Sequence, residues 1–357
     1  MFLEPPITRK SIPFTFAVLA VFSAAARGER IEGMRYVMGT MLRVEMRGAS
    51  ASELRPDLDK IFGRVRELEG LLSSYDSASE VSKMAREAPE WVGVSPETLR
   101  ALLLARLWAE RTGGAFEPTI RPLVRLWGFD VERLHKPTDR EIARVLPLLN
   151  FRLLETDPAG LRARLAEPGA EVDLGGIGKG YALDRVRAEL EASGASSAVL
   201  DFGGELLFWG EAGEDEDRFV GIRDFSGRRS AEGDLIAGFT MVRPGAVATS
   251  SNAERFLEEP GLKGGPEGRY GHILNPRTGK PVADVRSVTV IAPEAATADA
   301  LSTALFVMGP GKGLELVDAL VDTAAVMFYR DGSGSLHWAK SASWDGLARG
   351  FEVYGRP

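Results

Sequence analysis

FRLLETDPAGLRARLA, residues 151–166, divides at its centre. Asp157-Pro158-Ala159-Gly160 is turn chemistry, because Pro fixes φ and Gly tolerates conformations closed to other residues. The flanks, 151–156 and 161–166, read as two strands of a hairpin, which pairs them antiparallel. Outward from this hairpin, strands and helices interleave without a regular alternation. Leu42, Val44 and Met46 alternate, which predicts a strand over 41–47. Leu54, Leu58, Ile61, Val65, Leu68 and Leu72 recur every three or four residues and predict one helix over 52–72. Ser95-Pro96-Glu97 opens a helix carrying Leu99, Leu102, Leu103 and Leu107, which Gly113-Gly114 ends. Thr138 and Glu141 form a capping-box pattern for a helix over 139–149. Residues 181–193 suit a helix ended by Gly194, and strands are read at 197–202, 205–209, 218–223 and 235–243. The Gly-rich stretch 260–280 reads as loop. Strand 286–292, helices 297–308 and 312–320, strand 324–329 and short strands in the last 25 residues follow. This mixture, with hairpins and helices interleaved, predicts an α+β fold rather than a regular parallel sheet.

Composition narrows the chemistry. The 357 residues carry 44 Lys and Arg against 51 Asp and Glu, a net charge of −7, which argues against nucleic acid as a main partner. There is no Cys, so disulfides, thiolate nucleophiles and Cys-ligated zinc are excluded. Three dispersed His leave oxygen donors as the means of holding a metal, which favours Mg²⁺ or Ca²⁺. At the N-terminus, Arg9-Lys10 precedes an apolar run from Ile12 to Phe22, then Ser23-Ala24-Ala25-Ala26. That is the pattern of an export signal over 1–26, cleaved after Ala26, with the mature domain spanning 27–357. The run is short for a transmembrane helix, and no Cys follows it to carry a lipid. The expected location is therefore periplasmic or otherwise exported, with no stable membrane span after processing.

Four segments carry chemistry. Asp173-Leu174-Gly175-Gly176-Ile177-Gly178-Lys179-Gly180 lies between a short strand and a helix, where backbone N–H groups and a helix N-terminus suit an anion. It matches neither a Walker A loop nor GxGxxG, and the alternative is a glycine-rich turn with a surface lysine. Ala298 to Leu305 reads as a buried helix capped by Thr297. Asp299 and Thr303, four apart, share a face and offer two hard oxygens; the alternative is an acid placed by the helix dipole and a hydroxyl bonded to its own backbone. Tyr270 to Gly279 holds His272 between two turns, as a general base or as a structural loop residue. Gly114-Ala115-Phe116-Glu117-Pro118-Thr119 sets an aromatic beside an acid in a turn, suited to a flat ring or simply to the core.

In their order these segments resemble the ApbE-type FAD:protein FMN transferases. The resemblance runs from Tyr36-Val37-Met38-Gly39-Thr40 through Ser73-Ser74-Tyr75-Asp76, Ser79-Glu80-Val81-Ser82 and Gly114 to Thr119 with Leu126-Trp127-Gly128-Phe129 after it. It continues through 173–184, Asp201-Phe202-Gly203-Gly204, Ala248-Thr249-Ser250, 272–279 and 298–305. Each motif is weak alone, and the ordered set is specific. The resemblance implies a two-lobed α+β fold, antiparallel sheets with packed helices in T-fold-like modules, with FAD in a cavity between the lobes. It implies Mg²⁺-dependent transfer of the FMN moiety of FAD to a Thr or Ser hydroxyl of a target flavoprotein, with release of AMP. The acceptors it implies are periplasmic subunits or domains of redox-driven ion pumps. Carried over by residue, the metal is expected at Asp299, Thr303 and the Gly176 carbonyl, with Ser302 as a further candidate. FAD is expected at Met38, Tyr75, Ala115, Phe116, Glu117, Asp173, Lys179, His272 and Ile273; His272 and Asp299 are the catalytic candidates.

The sequence departs from the family pattern at Glu117 and Asn275, where Asp is usual, and at Ser251-Asn252, where Gly is usual. None of these is a proposed metal side chain. Pyrophosphate cleavage calls for neutralised phosphate oxygens and an acceptor held in line, with no protein nucleophile. Two alternatives stand beside transfer: an Mg²⁺-dependent FAD pyrophosphatase, with water as acceptor, and a periplasmic flavin carrier without catalysis.

Overall fold

The computed structural model describes residues 18–21, 28–130, 136–210, 218–223, 235–252, 256–258 and 269–354. At its centre is an eight-stranded sheet. Its spatial order is Leu336–Lys340, Ala324–Arg330, Val285–Ala292, Gly245–Ser251, Glu205–Gly210, Ala195–Phe202, Thr40–Gly48, Glu29–Val37. Every ladder in it is antiparallel, as the α+β reading requires. Helices cover one face. The Ala51–Leu72 helix buries Leu54, Leu58, Ile61, Val65, Leu68 and Leu72, the stripe the sequence displayed, together with Phe62. The helices Gly178–Arg185 and Ala295–Met308 join it over the same apolar cluster. On the other face a four-stranded sheet, including Phe219–Arg223, Leu235–Met241 and Ala348–Val353, closes a second cluster around Phe239 and Trp344. Their rings meet edge to face at 4.9 Å. A third, smaller core holds Leu123, Trp127, Phe129, Ile142 and Leu274.

Several elements differ from the sequence reading. The strand Glu29–Val37 was not expected: it is an edge strand in which only Ile31 and Val37 are buried, so it lacks the alternation that marks a half-buried strand. Its hairpin turn is Met38-Gly39, both residues at positive φ (47° and 77°), the conformation a two-residue hairpin favours. Residues 151–153 form a 3₁₀ turn, so the hairpin strands are Leu154–Asp157 and Arg162–Leu165. The helix read at 181–193 begins at Gly178 and breaks at Val186 into Gly178–Arg185 and Arg187–Glu191. Glycine's poor helix propensity hid that start; packing overrides it here. The capping box of Thr138 and Glu141 is present. Its helix stops at Val145, and Pro147, which has no N–H, falls in a following 3₁₀ turn.

The last 25 residues add a short helix, Trp344–Leu347, between their strands. Within 260–280, residues 269–281 contain three short strands, and 260–268 lie outside the described residues. The leader read at 1–26 also lies outside them, except for Val18–Val21, which pair with Phe219–Ile222. Among the described residues no helix is long and apolar enough to cross a membrane.

Candidate functional site

The helices Gly178–Arg185 and Ala295–Met308 are pinned together at two points. Asp184 accepts from the N–H of Ala295 at 2.8 Å and of Ala296 at 2.9 Å, one bond on each oxygen. Asp184, and not Thr297, therefore caps the second helix, which starts at Ala295. Burial pushes the Asp184 carboxyl above its usual range, and these two N–H bonds oppose that shift. One turn further on, the Gly180 N–H donates to Asp299 Oδ2 at 3.0 Å. The approach is close enough that a Cβ at Gly180 would stand 2.6 Å from the Ala295 carbonyl carbon and 2.8 Å from Ala296 Cα.

Asp299 is buried, and its burial pushes its carboxyl up; the Lys179 charge, the Gly180 N–H and the neighbouring Glu205 carboxyl pull it down. Lys179 Nζ donates to the Gly175 carbonyl at 3.2 Å and lies 3.2 Å from Glu205 Oε1. Glu205 follows Gly203-Gly204, a two-residue turn with both φ positive (62° and 97°), and stands opposite Ala248 on the next strand. Gly176 faces Thr303: a Cβ there would meet Thr303 Oγ1 at 2.9 Å and the Phe116 ring at 3.3 Å. Gly176 thus forms a close-fitting cradle at the Thr303 hydroxyl, with no room for a side chain. Ser302 Oγ donates to the Asp299 carbonyl at 2.8 Å and shares a 2.7 Å hydrogen bond with Ser250 Oγ, joining its helix to the Gly245–Ser251 strand.

Asp173 turns the chain into this region by accepting from the Gly175 N–H at 2.8 Å. Its other oxygen is 3.8 Å from Arg121, whose buried guanidinium also pairs with Asp130 at 3.1 Å and lies 3.9 Å beneath the exposed Tyr75 ring. Ala115 and Phe116 are buried, with the Phe116 N–H on Thr112 Oγ1 at 3.1 Å. Glu117 is turned inward: one oxygen accepts from the Thr119 N–H (2.9 Å) and hydroxyl (2.7 Å), the other from the Phe151 N–H (3.0 Å). Burial raises its carboxyl against those three bonds. Met38 is half-buried, its N–H on Glu69 Oε1 at 2.6 Å. Ile273 is buried, and its carbonyl accepts from the Val282 N–H at 2.9 Å. His272 beside it is half-buried, between the strands Arg269–Gly271 and Leu274–Asn275.

Two further contacts bring the His272 segment to the Phe116 turn. Arg277 donates to the Gly113 carbonyl at 3.0 Å, and the Trp127 indole donates to the Gly279 carbonyl at 2.8 Å. A cavity of about 300 Å³ opens there, lined by Gly113, Glu117, Asn150, Arg152 and Arg277 among others. Sequence reasoning missed Glu205, Arg121 and Asp184. The signal for Glu205 was an acid at the head of Leu206-Leu207-Phe208, directly after a Gly-Gly turn. Asp184 closes the 173–184 motif, but its partners Ala295 and Ala296 are remote in the chain, and no local pattern joined Arg121 to Asp173 or Tyr75.

The donor set Asp299, Thr303 and the Gly176 carbonyl is all hard oxygen, and with the cradle at Gly176 it fits Mg²⁺. Among the described residues no three His, Cys, Asp or Glu side chains converge as a metal cluster, so a cation here relies on the hydroxyl and carbonyl oxygens as well.

The chain is similar to known proteins over most of its length. The ApbE family model matches residues 38–328. An FAD:protein FMN transferase of Treponema pallidum is 32% identical over 323 residues, 86% of each chain. One of Salmonella typhimurium is 29% identical over 88% of each chain. Among solved structures, the ApbE protein of Thermotoga maritima superposes with a TM-score of 0.77 at 31% identity, over 90% of this chain and all of that one. The flavin transferase ApbE of Vibrio cholerae gives 0.76 at 25% identity, with the same coverage.

Proposed function

The chain belongs to the ApbE family, and from that premise we infer that it transfers FMN from FAD to a target protein. The observation that carries the reading is the meeting of Gly180 with Asp299 and of Gly176 with Thr303, which seats the glycine-rich segment on the Ala295–Met308 helix. The acceptor in this reading is a Thr or Ser hydroxyl on a flavoprotein subunit or domain, and AMP is the leaving product. The hydroxyl oxygen bonds to the phosphorus of the FMN half, the bridging P–O bond breaks, and AMP departs with the bridging oxygen. The hydroxyl proton passes to a base, for which His272 is the candidate; its half-buried place between two short strands supports the role.

Asp299, Thr303 and the Gly176 carbonyl would hold Mg²⁺, which when bound neutralises charge on the pyrophosphate oxygens. Lys179 adds a cation on the same side, and Asp173 fixes the turn that presents Gly175 and Gly176. Tyr75, exposed and backed by the Arg121 guanidinium, offers a ring face to a flat heterocycle. Met38, Ala115, Phe116, Glu117 and Ile273 complete the FAD surface, chiefly through backbone and packing, since the Glu117 oxygens are already bonded within the protein. The small core around Trp127 and Ile142, separate from the main one, supports a division into two lobes about that surface.

Incubation with FAD, Mg²⁺ and a family-type acceptor domain, followed by intact-mass measurement, tests the function: the acceptor gains an FMN-sized mass and AMP appears. AMP without a mass gain makes the protein a pyrophosphatase, and neither product makes it a carrier. The leader belongs to the same reading, supported by Arg9-Lys10, the apolar run and the small residues to Ala26. Protein from the periplasmic fraction then begins at Arg27; an intact N-terminus on cytoplasmic protein refutes it.

A further inference from the structure

We propose that the cavity between the His272 segment and the Phe116 turn docks an acidic segment of the acceptor protein, through Arg152 and Arg277. The inference rests on the function proposed above and names how that site takes its second substrate. One wall, Pro276 and Arg277, belongs to the segment that begins at His272. Another, Gly113 and Glu117, belongs to the turn around Phe116, and Phe151 and Arg152 come from the 3₁₀ turn Phe151–Leu153. Both arginines are exposed, so their guanidinium groups stand at the mouth, and contacts fix each of them. Arg277 donates across the opening to the Gly113 carbonyl at 3.0 Å, and Arg152 lies 4.7 Å over the Phe151 ring. Among the described residues neither makes an ion pair.

Charge and size choose the occupant. The one carboxyl in the lining is Glu117, whose two oxygens are already bonded to Thr119 and the Phe151 N–H. Two guanidinium groups face at most one carboxylate, so the mouth is net positive in a chain of net charge −7. Guanidinium forks match a carboxylate in shape and charge. The cavity volume of about 300 Å³ is more than one carboxylate needs, and Phe151 and Pro276 give it apolar wall for the neighbours of an acidic residue. Of the residues expected at FAD, only Glu117 lines it; Lys179 and the proposed cation donors, which would take the pyrophosphate, do not. The other substrate of the reaction is a protein, and its hydroxyl must come to His272, in the segment that forms one wall. An acid held by Arg152 and Arg277 fixes the register of that polypeptide and so selects which Thr or Ser is presented.

The test is steady-state transfer to a family-type acceptor domain, read by intact mass, with KM measured separately for acceptor and for FAD. The enzymes are wild type, Arg152→Gln, Arg277→Lys and the double variant Arg152→Gln with Arg277→Gln. The acceptor is used as it stands and with the Asp and Glu residues flanking its modified hydroxyl changed to Asn and Gln. The double variant raises the acceptor KM about tenfold and leaves the FAD KM at the wild-type value. Neutralising the acceptor raises its KM by the same factor with wild type and adds nothing with the double variant, a coupling that a merely structural loss would not give. Arg277→Lys keeps the charge and most of the affinity; Arg152→Gln, whose side chain makes no hydrogen bond within the described residues, guards against misfolding as the cause. An unchanged acceptor KM in the double variant overturns the proposal, as does an equal effect of the neutralised acceptor on both enzymes. A rise confined to the FAD KM also overturns it and gives the cavity to FAD. Wild type that labels no acceptor at all refutes the transfer reading itself, and the docking with it.

Discussion

Replacing Gly180 by Ala places a methyl group where two helices touch. The new Cβ would lie 2.6 Å from the Ala295 carbonyl carbon and 2.8 Å from Ala296 Cα, both backbone atoms that no rotamer change can move. The Ala295 carbonyl oxygen would be closer still, and ordinary contact begins near 3.4 Å, so the helices must part by about 1 Å. Overpacking of that kind costs about 1–3 kcal/mol. Parting also stretches the Gly180 N–H bond to Asp299, now 3.0 Å, and a hydrogen bond to a charged group contributes about 1.5–3 kcal/mol. Ala returns about 1 kcal/mol of helix propensity over Gly. The expected net loss is about 1.5–5 kcal/mol, a large share of the stability of an ordinary domain. Urea denaturation measures it, and Mg²⁺-dependent FAD binding falls with it because Asp299 loses its fixed donor. Gly178→Ala is the control: its Cβ would have as its nearest neighbour Leu174 Cβ at 3.8 Å, an ordinary contact, and its stability stays within about 0.5 kcal/mol of wild type. Equal stability of the two variants would refute the reasoning, since the two positions differ in what a Cβ meets.

Asp299→Ala removes the one charged metal donor and abolishes most turnover, while Thr303→Ala removes a neutral oxygen and costs less; turnover and FAD affinity across an Mg²⁺ titration rank the two. Near-wild-type Mg²⁺ dependence in Asp299→Ala shows that the cation is held elsewhere. Asp184→Ala leaves the N–H groups of Ala295 and Ala296 without their acceptor and costs about 1–2 kcal/mol in urea unfolding, as loss of a helix cap does. The Tyr181 hydroxyl donates to Glu97 Oε2 at 2.8 Å, and burial with that bond pushes its pKa from 10.0 to about 12. The folded state therefore keeps a proton that the unfolded chain gives up, so this contribution is present below pH about 10 and is lost as pH rises toward about 12. Urea midpoints between pH 9 and 12 fall more steeply for wild type than for Tyr181→Phe; parallel curves contradict the assignment.

Patterns that repeat along the chain were legible, and contacts that span it were not. The stripe from Leu54 to Leu72 shows a buried helix face because every apolar residue in it serves the same surface. Asp299 and Thr303 could be paired on sight, since one turn of helix separates them. The strand Glu29–Val37 left little trace, because an edge strand exposed on most of its length needs no alternation. The cap of the Ala295–Met308 helix was assigned to Thr297 by proximity, whereas the acceptor arrives from Asp184, more than a hundred residues earlier. Glu117 looked like a ligand-facing acid because it sits beside Phe116 in a turn. Its bonds to Thr119 close the turn itself, and its bond from the Phe151 N–H joins a segment that no local pattern connects.

The double pinning of the two helices, by Asp184 at the end and by Gly180 against Asp299 within, bears on when the site comes into being. Both contacts are made by the protein alone, in backbone and buried carboxylate, and they hold the two helices together beside Gly176. A cation and a nucleotide bound as proposed would meet a surface shaped during folding. Their binding free energy would not be spent on ordering the two helices and would remain for affinity and discrimination. Such a site is born with the fold and lasts as long as the fold does.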